Sequence, residues 1–447
     1  MLGQEKARSI CEDVLQRATK DPAEVLLYFE DQSLTRFANN YIHQNVAERN
    51  ATVIVRVLCG RRMGLATTNR LDGDGLDKLM EHGRANAEVS PDDPDYPGLP
   101  DPASYAAVNG FDQLTADCSP QDRAKAVGRI CRLTRQKGFE GSGLFSTGTN
   151  EVVIANTQGV FAYHASTNAD FQIVVTSEDA SGREQGSGWR LGDISLESLG
   201  RDAIQTAEDG NNPRQVEPGE YTVILTPYAT EDILNMLNYY GMGAQAVLEG
   251  RSWMNDRLGE KVMSHLVDIW DDGLDPTGIP MPFDFEGVPR QRVDIVRQGV
   301  VKSPVYDRIT ARKMGETTTG HALPPTMRSL GPIATHLFMA PGSTATEEMI
   351  RSTDRGLLIS RFWYTRLVHP RDCVITGMTR DGVFLVEGGE LVYPLRNLRF
   401  TQSYVEALAN VEAVGSETRL LMSEFGGQAT RVPALKINGF NFTGSTV

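Results

Sequence analysis

The sequence predicts an α+β protein in which two helix-and-strand units precede a strand-rich C-terminal region. Three observations lead to this prediction. A proline-rich stretch separates two regions that share the same order of helices and strands, a turn-rich segment ends the second region, and short alternating apolar runs dominate the remainder. A chain of 447 residues is also too long for one ordinary core, so two or three domains are expected.

The first unit covers residues 1–89 and opens with a charged, amphipathic helix that does not resemble a signal peptide. Three strands and a second helix follow, at Val25–Phe29, Arg36–Gln44, Thr52–Leu58 and Gly75–Ala87. Residues 90–118 are predicted to form a connector, because five prolines between Ser90 and Ala103 prevent regular structure there.

The second unit covers residues 119–212. Ser119 is a suitable N-cap, and Pro120 suits the first position of a helix. The predicted elements are a helix, three strands and a helix, at Gln121–Lys137, Glu151–Ala155, Val160–Ser166, Phe171–Ser177 and Leu196–Glu208. Because the same order occurs in both units, we interpret them as a structural duplication, although their sequences do not match.

Residues 213–447 are predicted to form one strand-rich domain with a few helices. Val383–Pro394 contains two apolar runs around Gly388-Gly389, which suits a hairpin with a primed two-residue turn. A second hairpin turn is predicted at Gln298-Gly299.

The segment after the second unit predicts a strand that leads into a helix. Apolar residues alternate from Tyr221 to Leu225, and Thr230 then suits an N-cap, with Glu231 and Asp232 at the positive end of the helix dipole. One face of this helix must be buried, because apolar residues recur at helical spacing: Ile233, Leu237, Tyr240, Ala244, Val247 and Leu248.

Composition excludes several classes of function. The formal net charge of −14 argues against a nucleic-acid surface, since binding phosphates requires clustered Lys and Arg. No apolar run reaches the ~20 residues of a membrane span. The five cysteines are scattered and form no CxxC pair, which is typical of reduced thiols in a cytoplasmic protein.

Several blocks after Pro218 resemble one protein family. They are GRSWMNDRLGEKV after the helix, EGVPRQRVDIVRQGVV (Glu286–Val301), ARKMGETTTGHA (Ala311–Ala322), THLFMAPGSTATEEMI (Thr335–Ile350), GVFLVEGGELVYPLRNLRF and RVPALKINGFNFTGS. Their order and spacing resemble the TldD/PmbA family of metallopeptidase-like proteins, which are also called modulators of DNA gyrase. The resemblance covers most of the chain.

The resemblance implies a degenerate metal site. In the catalytic branch of the family, the helix carries HExxxH, with two zinc-binding histidines and a general-base glutamate, and a distal cysteine is the third ligand. An ungapped register anchored on Leu258-Gly259-Glu260 places Asn235, Met236 and Tyr240 at the HExxxH positions, and Phe425 or a neighbour at the cysteine. None of these residues binds zinc well. The resemblance therefore implies the PmbA/TldE-type branch, with no catalytic residue, metal ligand or cofactor in this chain.

Other candidate sites are weaker. The best local group of metal-binding residue types is His265, Asp268 and Asp271, but in a strand this spacing alternates faces. Residues 241–246 match a dinucleotide-binding glycine pattern only as letters, because a helix precedes the glycines where a strand is required. Close packing or a helix break is predicted there instead. Cys373 has no histidine or asparagine placed by sequence to activate it.

A polar loop offers one more candidate. Thr319, Gly320 and His321 lie in a glycine-containing segment of a kind that lines clefts, so they are predicted as cleft-lining residues. The alternative is a histidine whose ring is satisfied by the backbone.

The leading hypothesis is a TldE/PmbA-like subunit of a cytoplasmic metalloprotease that acts on unfolded peptides. The resemblance implies that a TldD-like partner in a heterodimer supplies the zinc. One alternative is a stand-alone homodimeric peptide-binding protein derived from a peptidase, and another is a hydrolase that uses unrecognised residues. Neither direct contact with nucleic acid nor a membrane location is expected.

Overall fold

The N-terminal half forms one antiparallel sheet of six strands covered by helices. The computed structural model describes residues 1–423 and 428–445. The strands are β1 Ala23–Ala38, β2 Tyr41–Cys59, β3 Arg62–Thr68, β4 Glu140–Asn156, β5 Phe161–Thr176 and β6 Ser181–Gly188. The helices are α1 Gln4–Gln16, α2 Gly73–Val89, α3 Gln113–Ala116, α4 Pro120–Gln136 and α5 Leu196–Asp209, with a 3₁₀ turn at Leu191–Asp193.

The order helix, three strands, helix occurs twice in this half. The strand order β3-β2-β1-β4-β5-β6 places the first strand of each repeat at the centre of the sheet. One core lies beneath α1 and α2, and a second lies beneath α4 and α5. The two repeats therefore share one continuous sheet. Ser119 and Asp122 form a capping box at the start of α4, as the predicted Ser119 cap requires.

Three strand predictions in this half were wrong in their limits. The predicted strand Arg36–Gln44 contains the β1–β2 turn, where Asn39 and Asn40 adopt φ angles of 50° and 60°. Asparagine tolerates this left-handed conformation, so the chain reverses there. The predicted strands Val160–Ser166 and Phe171–Ser177 are parts of the single strand β5, because polar residues between them continue the ladder with β4.

The C-terminal half forms an eleven-stranded sheet with short helices. Its strands are β7 Gly219–Leu225, β8 Ile269–Asp271, β9 Val293–Arg297, β10 Val300–Val301, β11 His336–Met339, β12 Arg355–His369, β13 Val374–Glu387, β14 Glu390–Pro394, β15 Leu398–Ser403, β16 Val411–Met422 and β17 Ala429–Ser445. Its helices are α6 Pro227–Leu237, α7 Ala244–Leu248, α8 Arg308–Met314, α9 Thr346–Arg351 and α10 Tyr404–Ala409, with a π-helical turn at Asn238–Met242 and a 3₁₀ helix at Pro325–Leu330. The α+β prediction with a strand-rich C-terminal domain is confirmed.

Five of these strands close into a ring. β7 pairs with β12, β12 with β13, β13 with β15 and β15 with β17, and β17 returns to pair with β7. Aromatic side chains fill the interior, with the ring centroids of Phe362 and Phe400 4.5 Å apart and those of Phe362 and Phe440 5.5 Å apart. Each of the five strands therefore pairs with two others of the ring, and none is an edge strand there.

Both predicted hairpin turns of this half are confirmed. Gly388 and Gly389 connect β13 to β14 with φ angles of 59° and 82°, and Gln298 and Gly299 connect β9 to β10 with φ angles of 49° and 76°. Positive φ at both central residues is the condition for a type I′ turn. Within the described ranges, no helix has the length and apolar composition needed to cross a membrane.

The helix after β7 begins four residues earlier than predicted. Thr226, not Thr230, is its N-cap, and Pro227 occupies the first position. The helix widens into the π-helical turn and ends at Gly243, before α7. A Cβ atom on Gly241 would lie 2.1 Å from Trp253 Cδ1, and one on Gly243 would lie 2.1 Å from the Pro332 carbonyl oxygen. These glycines allow close packing and a helix break, as predicted.

We expect Gly241→Ala to destabilise the C-terminal half by about 1–3 kcal/mol, because the new methyl group would overlap the buried Trp253 ring. Gly128→Ala in α4 is the matched control, since its new methyl group would meet nothing closer than 3.8 Å. The control should be neutral or stabilising by up to about 1 kcal/mol. Urea unfolding of both variants measures the difference, and equal midpoints would contradict the packing role of Gly241.

Candidate functional site

A cleft of about 210 Å³ lies where the edge strand β6 of the N-terminal sheet meets the C-terminal half. Four elements form its walls. The lining residues include Arg183 and Gln185 of β6, Tyr228, Glu231, Asp232, Asn235 and Met236 of α6, Arg361–Arg366 of β12, and Leu421 and Met422 of β16. The cleft therefore combines both halves of the molecule, and α6 forms one of its walls.

Two of the three predicted HExxxH positions lie in this cleft. Asn235 is 9% exposed, and its amide is used at both ends: Nδ2 donates to Glu231 Oε1, and Oδ1 accepts from Thr430 Oγ1 at 3.5 Å. Met236 is buried beside it. A side-chain amide and a thioether thus occupy these two predicted positions in the cleft.

Tyr240, the third position, lies outside the cleft lining. Its ring packs edge-on against Tyr239 with centroids 5.0 Å apart, and burial, with Tyr239 nearby, raises the pKa of its phenol. Side chains five residues apart in an α-helix point about 140° away from each other. Positions 235 and 240 could therefore share a face only if the helix between them were the wider π-helix. The π-helical turn begins at Asn238, after most of this interval.

The residues present do not fit a zinc ion. Zinc sites in proteins use imidazole, thiolate and carboxylate donors, whereas these positions offer an amide, a thioether and a neutral phenol. Among the described residues, no three His, Cys, Asp or Glu side chains are grouped closely enough to hold a metal. The predicted distal position, Phe425, lies outside the described residues.

Asp232 fixes α6 on the closed ring of strands. Its carboxylate accepts hydrogen bonds from Thr365 Oγ1 at 2.8 Å and from Tyr404 OH at 2.7 Å. Tyr404 is fully buried, and its burial beside Asp232 raises the pKa of the phenol well above its usual value. The cleft wall is therefore held by neutral hydroxyl donors.

A partly buried polar junction joins the two halves beside the cleft. Arg419 of β16 donates to Glu184 of β6 and, at 3.0 Å, to Tyr228 OH of α6. Tyr228 OH also lies 2.8 Å from Glu184 Oε2, and it contacts both the N–H and the carbonyl oxygen of Gln185, at 2.8 and 2.9 Å. Burial raises the pKa of Glu184, and Arg419 and Tyr228 oppose this shift.

The sequence analysis missed this junction. β6 has the sequence SGREQGSG, which contains none of the apolar alternation that marks a half-buried strand. Arg419 lies in a run of mixed polarity, and Tyr228 precedes the predicted start of α6. A glycine-rich polar segment flanked by an apolar strand and a helix was the one available signal.

The prediction that Thr319, Gly320 and His321 line the cleft was wrong. The side chain of His321 has no exposed surface, and none of the three residues lines this cleft. His321 Nε2 lies 2.8 Å from Asp271 Oδ1, and Nδ1 lies 2.9 Å from Thr319 Oγ1. The ring is satisfied by side chains, not by the backbone, and Gly320 is buried beside it.

The order hydroxyl, imidazole, carboxylate in this group resembles a hydrolytic triad, but its geometry does not permit that chemistry. The Thr319 hydroxyl is also engaged by Tyr306, accepting from its N–H at 2.8 Å and lying 3.1 Å from its carbonyl oxygen. His321 and Asp271 are fully buried, and the contacts with Tyr306 engage the Thr319 hydroxyl, so this arrangement does not present it to a substrate carbonyl.

The other candidate groups also fail to converge. His265 is exposed, Asp268 accepts a hydrogen bond from the Gln298 N–H, and Asp271 is buried with His321. Cys373 is buried, and burial raises the pKa of its thiol, which disfavours the nucleophilic thiolate.

Comparison with protein-family models shows which family the chain belongs to. The models for domain 1, the central domain and the C-terminal domain of PmbA/TldA metallopeptidases match residues 23–87, 107–210 and 218–444. The chain belongs to the PmbA/TldD family. The resemblance seen in the sequence blocks is confirmed, and the three matches together span both halves of the fold.

Relatives of this family match along most of their length. The Metalloprotease TldD homolog of Haemophilus influenzae is 23% identical over 97% of this chain and 95% of its own. Metalloprotease PmbA of Escherichia coli O157:H7 is 25% identical over 69% of this chain and 66% of its own.

Solved structures share the fold. TldE from Thermococcus kodakarensis has a TM-score of 0.87 at 20% identity, covering 97% of this chain and 100% of its own. A Thermotoga maritima protein described as a modulator of DNA gyrase has a TM-score of 0.86 at 19% identity, covering 98% of this chain and 100% of its own.

The pKa values around His321 predict acid sensitivity. Burial alone would raise the pKa of Asp271, but His321, His336 and Arg290 together hold it well below its usual range. For His336, burial and then Arg290 lower the pKa from 6.5 to about 3. The unfolded chain therefore takes up this proton near pH 6.5 and the folded protein does not. Stability owed to neutral His336 is complete above pH 6.5 and is lost as the pH falls toward 3.

We expect His336→Gln to flatten the pH dependence of unfolding. Between pH 6.5 and 4.5 the wild-type protein should lose about 2–3 kcal/mol more stability than the variant, at 1.36 kcal/mol for each unit of pKa difference. Thr335→Val is the control, because it removes the 2.9 Å contact to His336 Nδ1 and keeps the titrating ring. Parallel pH profiles for wild type and His336→Gln would contradict this account.

Proposed function

We propose that this protein is the non-catalytic, PmbA/TldE-type subunit of a metalloprotease that acts on unfolded peptides. A TldD-like partner subunit would supply the zinc and the general base. The observation that carries this proposal is the composition of the cleft, where Asn235 and Met236 occupy the α6 wall and bind other protein groups or pack among them.

The edge of β6 supports a role in peptide binding. Gln185 directs its N–H and carbonyl oxygen toward α6, where Tyr228 OH bonds both groups, so a peptide that paired with this residue would replace the hydroxyl. An extended peptide that adds to a sheet edge uses the same backbone groups and reads few side chains. Such binding suits a partner that has no fixed structure and no fixed sequence.

The names of the relatives support proteolysis as the reaction class. The Haemophilus and Escherichia proteins are called metalloproteases, and the Haemophilus match extends over nearly all of both chains. A net charge of −14 favours peptides over nucleic acids as ligands, and we propose a cytoplasmic location for the assembly.

The two alternatives predict different behaviour. A homodimeric peptide-binding protein would assemble and bind peptide without a partner. A hydrolase using unrecognised residues would cleave peptides alone. The burial of His321 and Asp271 argues against this alternative. Assembly, peptide binding and peptide cleavage are therefore measured on the chain purified alone and together with an HExxxH-bearing member of the family. The comparison separates these alternatives from the heterodimer.

We expect the isolated protein to contain no stoichiometric zinc and to cleave no peptide, because its cleft presents poor zinc donors. Together with an HExxxH-bearing subunit, it should form a heterodimer with chelator-sensitive activity. Elemental analysis and cleavage of reduced, alkylated casein measure both properties. About one zinc per isolated chain after dialysis would contradict the proposal, given the donors that zinc requires.

Restoring the lost residues should not create a peptidase. We expect the variant Asn235→His, Met236→Glu, Tyr240→His to remain inactive alone, because residue 240 lies outside the cleft lining and zinc-binding histidines also need partners that orient their rings. Adding Phe425→Cys should allow zinc uptake without turnover. The control is the same triple variant with Met236→Gln, which lacks a base. Chelator-sensitive cleavage by the triple variant, but not by this control, would show that the cleft retains catalytic geometry.

A further inference from the structure

Tyr364 at the mouth of the cleft has an unfavourable backbone conformation. Its φ angle is 55°, and it is the one aromatic residue with positive φ in the described ranges. Left-handed backbone carries a steric penalty for residues with a Cβ atom, and bulky side chains adopt it rarely. The ring is nevertheless 66% exposed, so little burial offsets that penalty. Backbone strain that persists beside a cleft points to a function.

A β-bulge produces this conformation. Trp363 pairs with Met378 and Arg366 pairs with Thr376, so Tyr364 and Thr365 lie opposite the single residue Gly377. A left-handed position in a bulge is usually occupied by glycine. In this chain a tyrosine stands there, although glycine would adopt the same conformation without strain.

The bulge is held by the residue on its inner side. Thr365 is 6% exposed, and its hydroxyl donates to Asp232 Oδ2 at 2.8 Å. A Cβ atom on Gly377 would lie 2.9 Å from Thr365 Cγ2, so glycine at position 377 makes room for the inward turn. With Thr365 fixed to α6, the preceding side chain is directed outward at the cleft mouth.

The surroundings of the Tyr364 ring suit an apolar ligand group. The ring meets Trp363 edge-on with centroids 5.5 Å apart, and the Arg366 guanidinium lies 5.2 Å from its centre. The adjoining cleft is lined by Met236, Phe362, Leu421 and Met422. At about 210 Å³ the cleft is smaller than the pockets that hold drug-sized ligands, and it suits one or two amino-acid side chains.

We infer that Tyr364 is a specificity-determining residue that stacks an aromatic side chain of an extended peptide at the mouth of the cleft. This inference rests on the proposed function as a peptide-binding subunit. Backbone groups at the β6 edge bind the peptide without regard to sequence, and Tyr364 adds a preference for peptides that carry an aromatic residue. Aromatic pairs gain affinity beyond their buried area when their rings meet edge-on or offset.

The test compares two labelled peptides on three variants. The probes are a fluorescein-labelled ten-residue Gly/Ser peptide with one central Trp, and the same peptide with Ser at that position. Wild-type protein should bind the Trp peptide about fivefold more tightly, a ratio typical of one aromatic pair. In Tyr364→Ser and Tyr364→Gly this ratio should fall to about one, while the affinity for the Ser peptide is unchanged. Tyr41→Ser is the control, because Tyr41 is 69% exposed on the distant β2 and should leave the ratio unchanged.

Thermal unfolding supplies a second measurement. Tyr364→Gly relieves the left-handed strain, so its Tm should equal or exceed that of wild type although its selectivity is lost. A purely structural role for Tyr364 predicts that Tm and affinity for both peptides fall together, which would overturn the inference.

The remaining outcomes separate this inference from the proposed function. If wild-type protein binds both peptides equally, the inference fails and the proposed function stands. If it binds neither peptide, alone or with an HExxxH-bearing subunit, both fail. If Tyr364→Ser weakens assembly with that subunit and leaves the peptide ratio unchanged, Tyr364 belongs to a subunit interface and the inference is overturned.

Discussion

The pairing of β17 with four other strands is the constraint on which the C-terminal half depends. The start of β17 pairs with β11 and β16, its middle with β7, and its end with β15. None of these neighbours pairs along the whole of β17, so its two ends join different parts of the sheet. Because β7 leads directly into α6, closing the ring through β17 also positions α6. Asp232 then anchors that helix through Thr365 and Tyr404. The cleft wall thus follows from the strand pairing.

Charged groups join this half to the N-terminal sheet at two places, one buried and one partly exposed. Beside the cleft, Arg419 meets Glu184 and Tyr228, and elsewhere Arg56 of β2 pairs with Glu24 of β1 and, at 3.3 Å, with Glu286. Removing one partner from the buried Arg56 group would leave a charge uncompensated and commonly costs about 3–5 kcal/mol, whereas the intact group contributes little net stability. The Arg419 side chain is 39% exposed, so solvent screens its charge and the cost there is smaller. These contacts therefore restrict how the halves fit together more than they stabilise either half. The cleft lies beside the first contact, so its width depends on that match of charges.

Several local signals in the sequence predicted local structure, although the cap at Thr230 and the strand across Asn39-Asn40 were wrong. The turns at Gly388-Gly389 and Gln298-Gly299 and the cap at Ser119 each depend on a few adjacent residues, and the structure contains all of them. The fold class and the family also followed from sequence.

The closure of the strand ring was not predicted, because residues near 221 and 440 that pair there are far apart in the chain. β6 was missed because its polar, glycine-rich sequence is stabilised by contacts from α6 and β16. His321 was misplaced for a similar reason, since its partner Asp271 lies 50 residues away in sequence.

The side chains on the α6 wall suit a cleft that is stable without a metal. Positions 235 and 236 are 9% and 7% exposed. A histidine and a glutamate at such positions without a cation would bury polar groups that need partners, and a buried unpaired charge is especially costly. Asn235 instead uses both ends of its amide within the protein, and Met236 has no charge to compensate. At the cleft mouth the opposite holds, because Tyr364 combines a strained backbone with an exposed side chain. Positions 235 and 236 of the wall thus carry no charge, whereas strain persists at the mouth. Under the proposed function, this contrast fits a subunit whose cleft binds peptide and leaves the chemistry to its partner.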